Sequence, residues 1–280
     1  MIGGLRLRKM NLFYVFSVLV ALMVIIAGGY GLYHPDLYSN TEHDFLRLLF
    51  NQDFLILVIF VPLLLISTWM IAQGSIRAEF LWFGTIGYLC YVYTGYSFGS
   101  VSAKLFLLHM AIAAFTFFLF LVKLALLDIE RIRLRFKVTS FSFTASFLIG
   151  IALLIEILWL QSYSIFFPEP VLAFSLLDLN TVLAVKVLDL TFLGPLCFLA
   201  GFWLYARKAI GYALTGILLV MIPAKFGAMI TDFDIIISFT QTNCIFGFLA
   251  LAALMLLVNF LKTIKEEKLT SYHERISNGF

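Results

Sequence analysis

Charge is what this sequence has least of. Of its 280 residues, 12% are Asp, Glu, Lys or Arg, against about 25% in a soluble domain. A chain so short of charge does not cover a water-facing surface. Its several apolar runs of about 20 residues mark a polytopic membrane protein instead. The net charge of +3 is small, and the basic residues are spread over short connections, so no nucleic-acid partner is expected. Cysteine is scarce too. Cys90, Cys197 and Cys244 fall singly inside apolar segments. None is spaced as a metal ligand, and they read as small buried residues. There is no Gly-rich phosphate loop, no H-E-x-x-H, no G-x-S-x-G and no c-type haem motif. No catalytic residue is assigned on this basis, and no cofactor is expected. His34, Asp36, His43 and Asp44 carry possible ligand atoms, but their spacings match no standard metal site, so no metal is expected.

What the sequence does contain is hydrophobic residue, 62% of the chain. It falls into segments 11–30, 53–73, 80–98, 105–127, 141–160, 181–205, 209–231 and 239–263. The fold expected is all-α, a bundle of about eight transmembrane helices with the lipid bilayer as its first partner. The first segment follows Arg6, Arg8 and Lys9. It is too long for a signal-peptide core and no A-x-A-like site follows, so it reads as a retained helix. The stretch 31–52 holds Gly31, His34 and Pro35 and ends in the more helical His43–Phe50. Residues 161–180 carry Pro168 and Pro170 but are otherwise apolar, as a loop lying in the interface would be.

Orientation follows from Lys and Arg. With the N-terminus inside, the inner connections hold Arg6, Arg8, Lys9, Arg77, Arg131, Arg133, Arg135, Lys137, Arg207, Lys208, Lys265, Lys268 and Arg275. The outer ones hold Arg47 and Lys104. The bias predicts a multi-pass protein of the cell membrane with both termini cytoplasmic.

The order of features divides the chain into a first four-helix half (1–130), a cytoplasmic linker (131–138), a second half (139–265) and a tail (266–280). Asp53 precedes Pro62 by the same interval at which Lys186 precedes Pro195. Each proline leads through an apolar run to a short basic turn, and then to a helix with early glycine and tyrosine: Gly84, Gly87 and Tyr88 in one case, Gly211, Tyr212 and Gly216 in the other. This is the pattern of a parallel internal repeat.

The run Gly74-Ser75-Ile76-Arg77, then Gly84 to Tyr88, Tyr91, Tyr96-Ser97-Phe98-Gly99 and Leu105 to Leu108 resembles a family of prokaryotic multi-pass membrane proteins without an assigned activity. Asp189-Leu190, Pro195, Arg207, Gly211-Tyr212 and Lys225 continue the likeness, which spans residues 53–230. It implies an eight-helix-like protein and no particular chemistry. The region before Asp53 is shorter here than in that family.

Charges inside the apolar segments are the candidate site. Charge at membrane depth is costly and usually faces a protein interior or a water-filled cavity. Glu156 lies near the outer end of its helix. Lys186 and Asp189 lie below the outer start of theirs and share a face, which makes Lys186 a candidate partner of Asp189. Lys225 lies below the outer end of the next helix, with Asp232 and Asp234 at its exit. Three helices thus present charge at one depth, where it would bind a small ligand or relay protons. The alternative is a set of mutually satisfied ion pairs with Lys186 snorkelling outward. Asp53 is either a dipole-favoured acid at a helix start or a further site residue, and His109 either a satisfied polar contact or part of the outer cavity. Tyr88, Tyr91 and Tyr96 read as packing and aromatic-belt residues, and Gly95 and Gly99 as a close-packing pair. Pro62, Pro195 and Pro223 should kink their helices, the last of them aiming Lys225 inward. A retinal-type Schiff base is not supported, because the residues around Lys225 and Lys186 do not resemble the rhodopsins.

Three functions follow as expectations. The first is a small-molecule or ion carrier, or a ligand-binding membrane protein. In it Glu156, Asp189 and Asp232 handle protons or cations, and Lys186 and Lys225 hold anionic groups or neutralise the carboxylates. The second is an integral membrane enzyme on a lipid-linked substrate at the outer interface. The third is a non-catalytic assembly or sensor subunit. The cytoplasmic halves of 141–160, 181–205 and 209–231 are almost wholly apolar, which counts against conduction.

Overall fold

A computed structural model describes residues 2–34, 43–99, 101–137, 141–160, 180–230 and 241–265. Segment 161–179, Asp232, Asp234 and the tail 266–280 lie outside the described residues. Without water to bond its amides, an apolar run can cross a bilayer only by pairing them internally, and helix is the local solution. The elements are α1 (Ile2–Tyr33), α2 (His43–Leu55), α3 (Val61–Ala72), α4 (Ile76–Phe98), α5 (Phe106–Ala125), α6 (Ile129–Leu134), α7 (Ser142–Leu160), α8 (Asn180–Leu188), α9 (Gly194–Tyr205), α10 (Ala209–Ala228) and α11 (Gln241–Lys262). Among the described residues the one β contact is the isolated bridge between Phe136 and Ile264. Among the described residues seven helices are long and apolar enough to cross a membrane, and the chain is a multi-pass all-α membrane protein. The eighth long helix, α4, has 23 residues but carries Arg77, Glu79 and four tyrosines.

Two of the long rods are not plain α-helix. α2 continues into α3 through a π-helical turn, Ile56–Phe60, and α8 into α9 through another, Asp189–Leu193. Each is followed at once by a proline, Pro62 or Pro195, in the first turn of the next helix. Proline lacks an N–H and its ring crowds the carbonyl four residues back. A turn widened by one residue gives that ring room, so the expected kinks take the form of π turns. The two rods also match feature by feature at one fixed separation along the chain. Ile56 stands to Asp189 as Pro62 to Pro195, as Gly74 (φ 84°) to Arg207 (φ 55°), and as Ile76 to Ala209.

α10 is the centre of the bundle. Of its membrane-length window 83% is buried, against at most 39% in the six other apolar spans. It runs beside α4 in the same direction, and the two meet at Gly84. A Cβ there would stand 2.9 Å from the Ile217 carbonyl oxygen and 2.7 Å from Val220 Cγ1. Without a hydrophobic drive between helices in lipid, such close backbone approach supplies the attraction.

The end of the bundle that carries the basic residues is closed. Phe136 lies 4.8 Å from both the Tyr212 and the Phe260 ring centroids, and Phe80 and Phe141 complete the cluster. The linker is tied to the end of α11 by Lys265 N–H to the Arg135 carbonyl (2.8 Å) and Lys137 N–H to the Thr263 carbonyl (3.0 Å). Arg77 donates to the Ile264 carbonyl at 3.0 Å, and Lys123 pairs with Glu79 at 2.8 Å. Of the cysteines, Cys197 is buried, Cys90 half-buried and Cys244 exposed on the helix surface. The expectation of three buried cysteines therefore holds for Cys197 alone. A sulfhydryl is apolar enough that neither packing nor lipid is excluded to it.

Candidate functional site

The bundle's polar centre lies in the half away from the basic end. Asp189 opens the π turn after α8 and is 0% exposed; Lys225, in the last turns of α10 and two residues after Pro223, is 7% exposed. The lysine reaches the carboxylate with Nζ 2.7 Å from Oδ2 and 2.9 Å from Oδ1. Its third contact is the Tyr91 hydroxyl of α4, at 2.8 Å. Tyr91 in turn donates to Asp189 Oδ1 at 2.6 Å, and Trp159 Nε1 of α7 donates to Oδ2 at 2.7 Å. Four long rods thus converge on one carboxylate. An ammonium has three donors and a carboxylate about four acceptor positions, and this ring uses nearly all of them. Two charges taken out of water need that degree of satisfaction to persist.

The sequence-derived candidates fall into place unevenly around this ring. Asp189 and Lys225 meet. Lys186 is not the counter-ion of Asp189. It is buried, and its Nζ lies 5.6 Å from the centroid of the Trp159 ring. A neighbour three residues away on one helix shares a face, but a partner on the facing helix approaches end-on, and here that geometry wins. Glu156 is half-buried and lies beside the pair rather than in it. Its carboxyl rests on Gly194, where a Cβ would stand 3.3 Å from Glu156 Cδ and 3.2 Å from the Asp189 carbonyl oxygen. Glycine at the end of the π turn is what lets α7 bring that carboxyl so close.

Asp53 and His109 belong to a second cluster. Asp53 is 1% exposed and accepts from the Tyr96 hydroxyl at 3.1 Å. His109 is also 1% exposed, with its ring 5.3 Å from Tyr96 and 5.6 Å from Tyr93. Its Nδ1 has no hydrogen-bond partner among the described residues. A cavity of about 50 Å³ separates the two clusters, lined among others by Gln52, Tyr88, Tyr91, Tyr96 and Lys225. At about 10–15 Å³ per water, it has room for about three to five waters. Tyr88, Tyr91 and Tyr96 are therefore cavity walls, and not the aromatic belt their positions indicated. Each points inward because α4 is surrounded by other helices, with α3, α5, α8 and α10 all against it.

Trp159 was not legible as a site residue. Its only sequence signal is its place three residues after Glu156, which puts the two on neighbouring faces of α7. Among the described residues no group of three or more His, Cys, Asp and Glu could hold a metal ion.

The fold and site together define a multi-pass helical membrane protein with a fully bonded, buried Lys–Asp pair beside a small, mostly apolar cavity. No protein-family model, curated protein or solved structure matches the chain.

Proposed function

We propose that this protein binds a small polar ligand or ion at the Lys225–Asp189 pair, as a carrier or a ligand-binding membrane protein, with access from the outer face. The observation that supports it is the position of Lys225. A purely structural ion pair gains nothing from an adjoining cavity, yet Lys225 and its partner Tyr91 both line one. Asp189 handles the proton or cation, and Lys225 the anionic group or the neutralising charge. Glu156 and Lys186 flank the pair and set the field around it. The aromatic cluster of Phe80, Phe136, Tyr212 and Phe260 closes the basic end, so passage to that side requires those rings to separate.

The test is a thermal-stability screen in detergent against formate, acetate, chloride, phosphate, sodium, potassium and ammonium. The wild type is compared with the double variant Lys225→Met, Asp189→Asn, which removes both charges and leaves none unpaired. At least one of these ions should raise the wild-type Tm, by ligand linkage, and leave the double variant unmoved. A wild type that responds to none, or a double variant that responds equally, overturns the reading.

A further inference from the structure

We propose that the basic end of the bundle is a docking surface for anionic phospholipid headgroups, with Arg207 and Lys208 at its centre and Arg133, Lys137 and Lys265 beside them. The inference is independent of the cavity and of the Lys225–Asp189 pair.

Two turns of the same chain carry the first argument. Gly74 follows α3 as Arg207 follows α9, and both have left-handed backbone, φ 84° and 55°. Their hydrogen bonds are the same. Gly74 N–H donates to the Ile71 carbonyl (2.9 Å) and Ser75 N–H to that of Met70 (3.2 Å). Arg207 N–H donates to the Leu204 carbonyl (3.0 Å) and Lys208 N–H to that of Trp203 (2.9 Å). Glycine suits this conformation, and a residue with a Cβ adopts it at a cost. Ser75 then caps α4, its side chain accepting from Ala78 N–H, whereas Lys208 precedes α10 with no side-chain cap bond. A serine at such a place satisfies a helix-end donor that a lysine leaves open. For folding alone, Gly-Ser is the better pair on both counts, and the first turn has it. The second carries Arg-Lys, with both side chains exposed. Backbone strain kept for the sake of an outward cation points to a use outside the fold.

Charge and placement carry the second. Tyr212, one turn past Lys208, packs on Phe136 at 4.8 Å between ring centroids, which brings the linker against the start of α10. Lys137 follows Phe136 directly, and Lys265 is held to the linker through the Arg135 carbonyl. Arg133, Lys137 and Lys265 are all exposed. The segments at this end, 74–79, 123–137, 207–208 and 262–268, hold eleven Lys and Arg against five Asp and Glu, so the end needs negative charge from outside the chain. Large apolar side chains stand exposed among the cations: Leu134 beside Arg133, and Tyr205 two residues before Arg207. Cations mixed with exposed leucine and tyrosine fit the boundary between headgroups and acyl chains. A soluble acidic partner would meet the charges and leave those apolar groups in water. Anionic headgroups meet both, since they attract Lys and Arg at the surface while their chains take the apolar side chains.

The test uses the full-length protein, depleted of lipid in dodecyl maltoside and then supplied with dioleoyl phosphatidylcholine or dioleoyl phosphatidylglycerol. At low salt the wild-type Tm should stand several degrees higher in phosphatidylglycerol, and the gain should shrink at high salt. Arg207→Gly with Lys208→Ser gives the second turn the residues of the first. In phosphatidylcholine the Tm of this variant should equal or exceed that of the wild type, while its gain in phosphatidylglycerol falls by about half. Adding Arg133→Gln and Lys137→Gln should abolish the gain, and Lys104→Gln at the opposite end should leave it whole. Should the fourfold variant not fold, the turn variant decides alone. The inference is overturned by a wild type that gains nothing from phosphatidylglycerol, by a turn variant that keeps the full gain, or by one that loses Tm equally in both lipids. A gain that inorganic phosphate gives equally in phosphatidylcholine assigns the surface to a soluble anion and overturns it too.

Discussion

At the scale of single residues, the chemistry is concentrated in Asp189 and Lys225, because each leaves the other a buried, unpaired charge if it is lost. Removing one partner of such a pair costs about 3–5 kcal/mol, whereas removing both charges is far milder. Lys225→Met and Asp189→Asn should therefore each lower the Tm in detergent more than the double variant Lys225→Met, Asp189→Asn. The asparagine keeps a carbonyl oxygen for the Trp159 N–H, which would otherwise be orphaned at about 1–3 kcal/mol. Additive losses across this set would show that the pair is not energetically coupled, and that its closeness is incidental.

At the scale of elements, the two central helices are held by contact rather than by polar bonds. Gly84 has no room for a side chain, since the Ile217 carbonyl and Val220 stand where one would go. Gly84→Val should cost about 1–3 kcal/mol through overpacking and should also loosen the site, because α4 carries Tyr91 and α10 carries Lys225. Gly150→Val on α7, which meets nothing within 4 Å, is the control and should change stability by less than about 0.5 kcal/mol. Equal thermal shifts for the two would mean that α4 and α10 do not depend on close approach. The π turns work at this scale as well. A widened turn adds a residue and so rotates the face of the helix before it relative to the face after it. In the second rod the turn begins at Asp189 itself, which faces Lys225, while Lys186, one turn earlier, lies over Trp159.

At the scale of the whole molecule, we propose that the chain is a parallel tandem repeat, with α2 to α4 and α8 to α10 as equivalent units. The crossing of α4 and α10 and the cavity beside it then lie near the axis relating the halves, where binding sites of such membrane proteins are commonly found. We propose from the charge bias that this cavity lies on the outer side. In a chain with Cys90, Cys197 and Cys244 replaced by alanine, a membrane-impermeant maleimide should reach Lys104→Cys in intact cells. It should reach Arg133→Cys only after permeabilisation. The opposite result would put the cavity on the cytoplasmic side and reverse the proposed direction of access.

The sequence alone determined the membrane class, the helices and the presence of charge inside apolar segments. These follow from composition and from hydrogen bonding along a single segment, which depend on near neighbours in the chain. It also marked the prolines, though not that they would be accommodated by π turns, because a kink and a widened turn relieve the same local clash. Helix ends were legible only roughly: the apolar segment expected from Asp53 and the more helical His43–Phe50 before it are one element, α2, since a polar first turn costs nothing at the membrane edge. What only the tertiary structure decided was the pairing. Lys186 is the nearer charge in sequence and Lys225 the nearer in space, and an ion pair answers to distance. The same holds for Tyr91, Tyr96 and Trp159. A tyrosine or tryptophan near a helix end reads alike whether it faces lipid or a cavity, and which of these it faces is fixed by the helices packed around it.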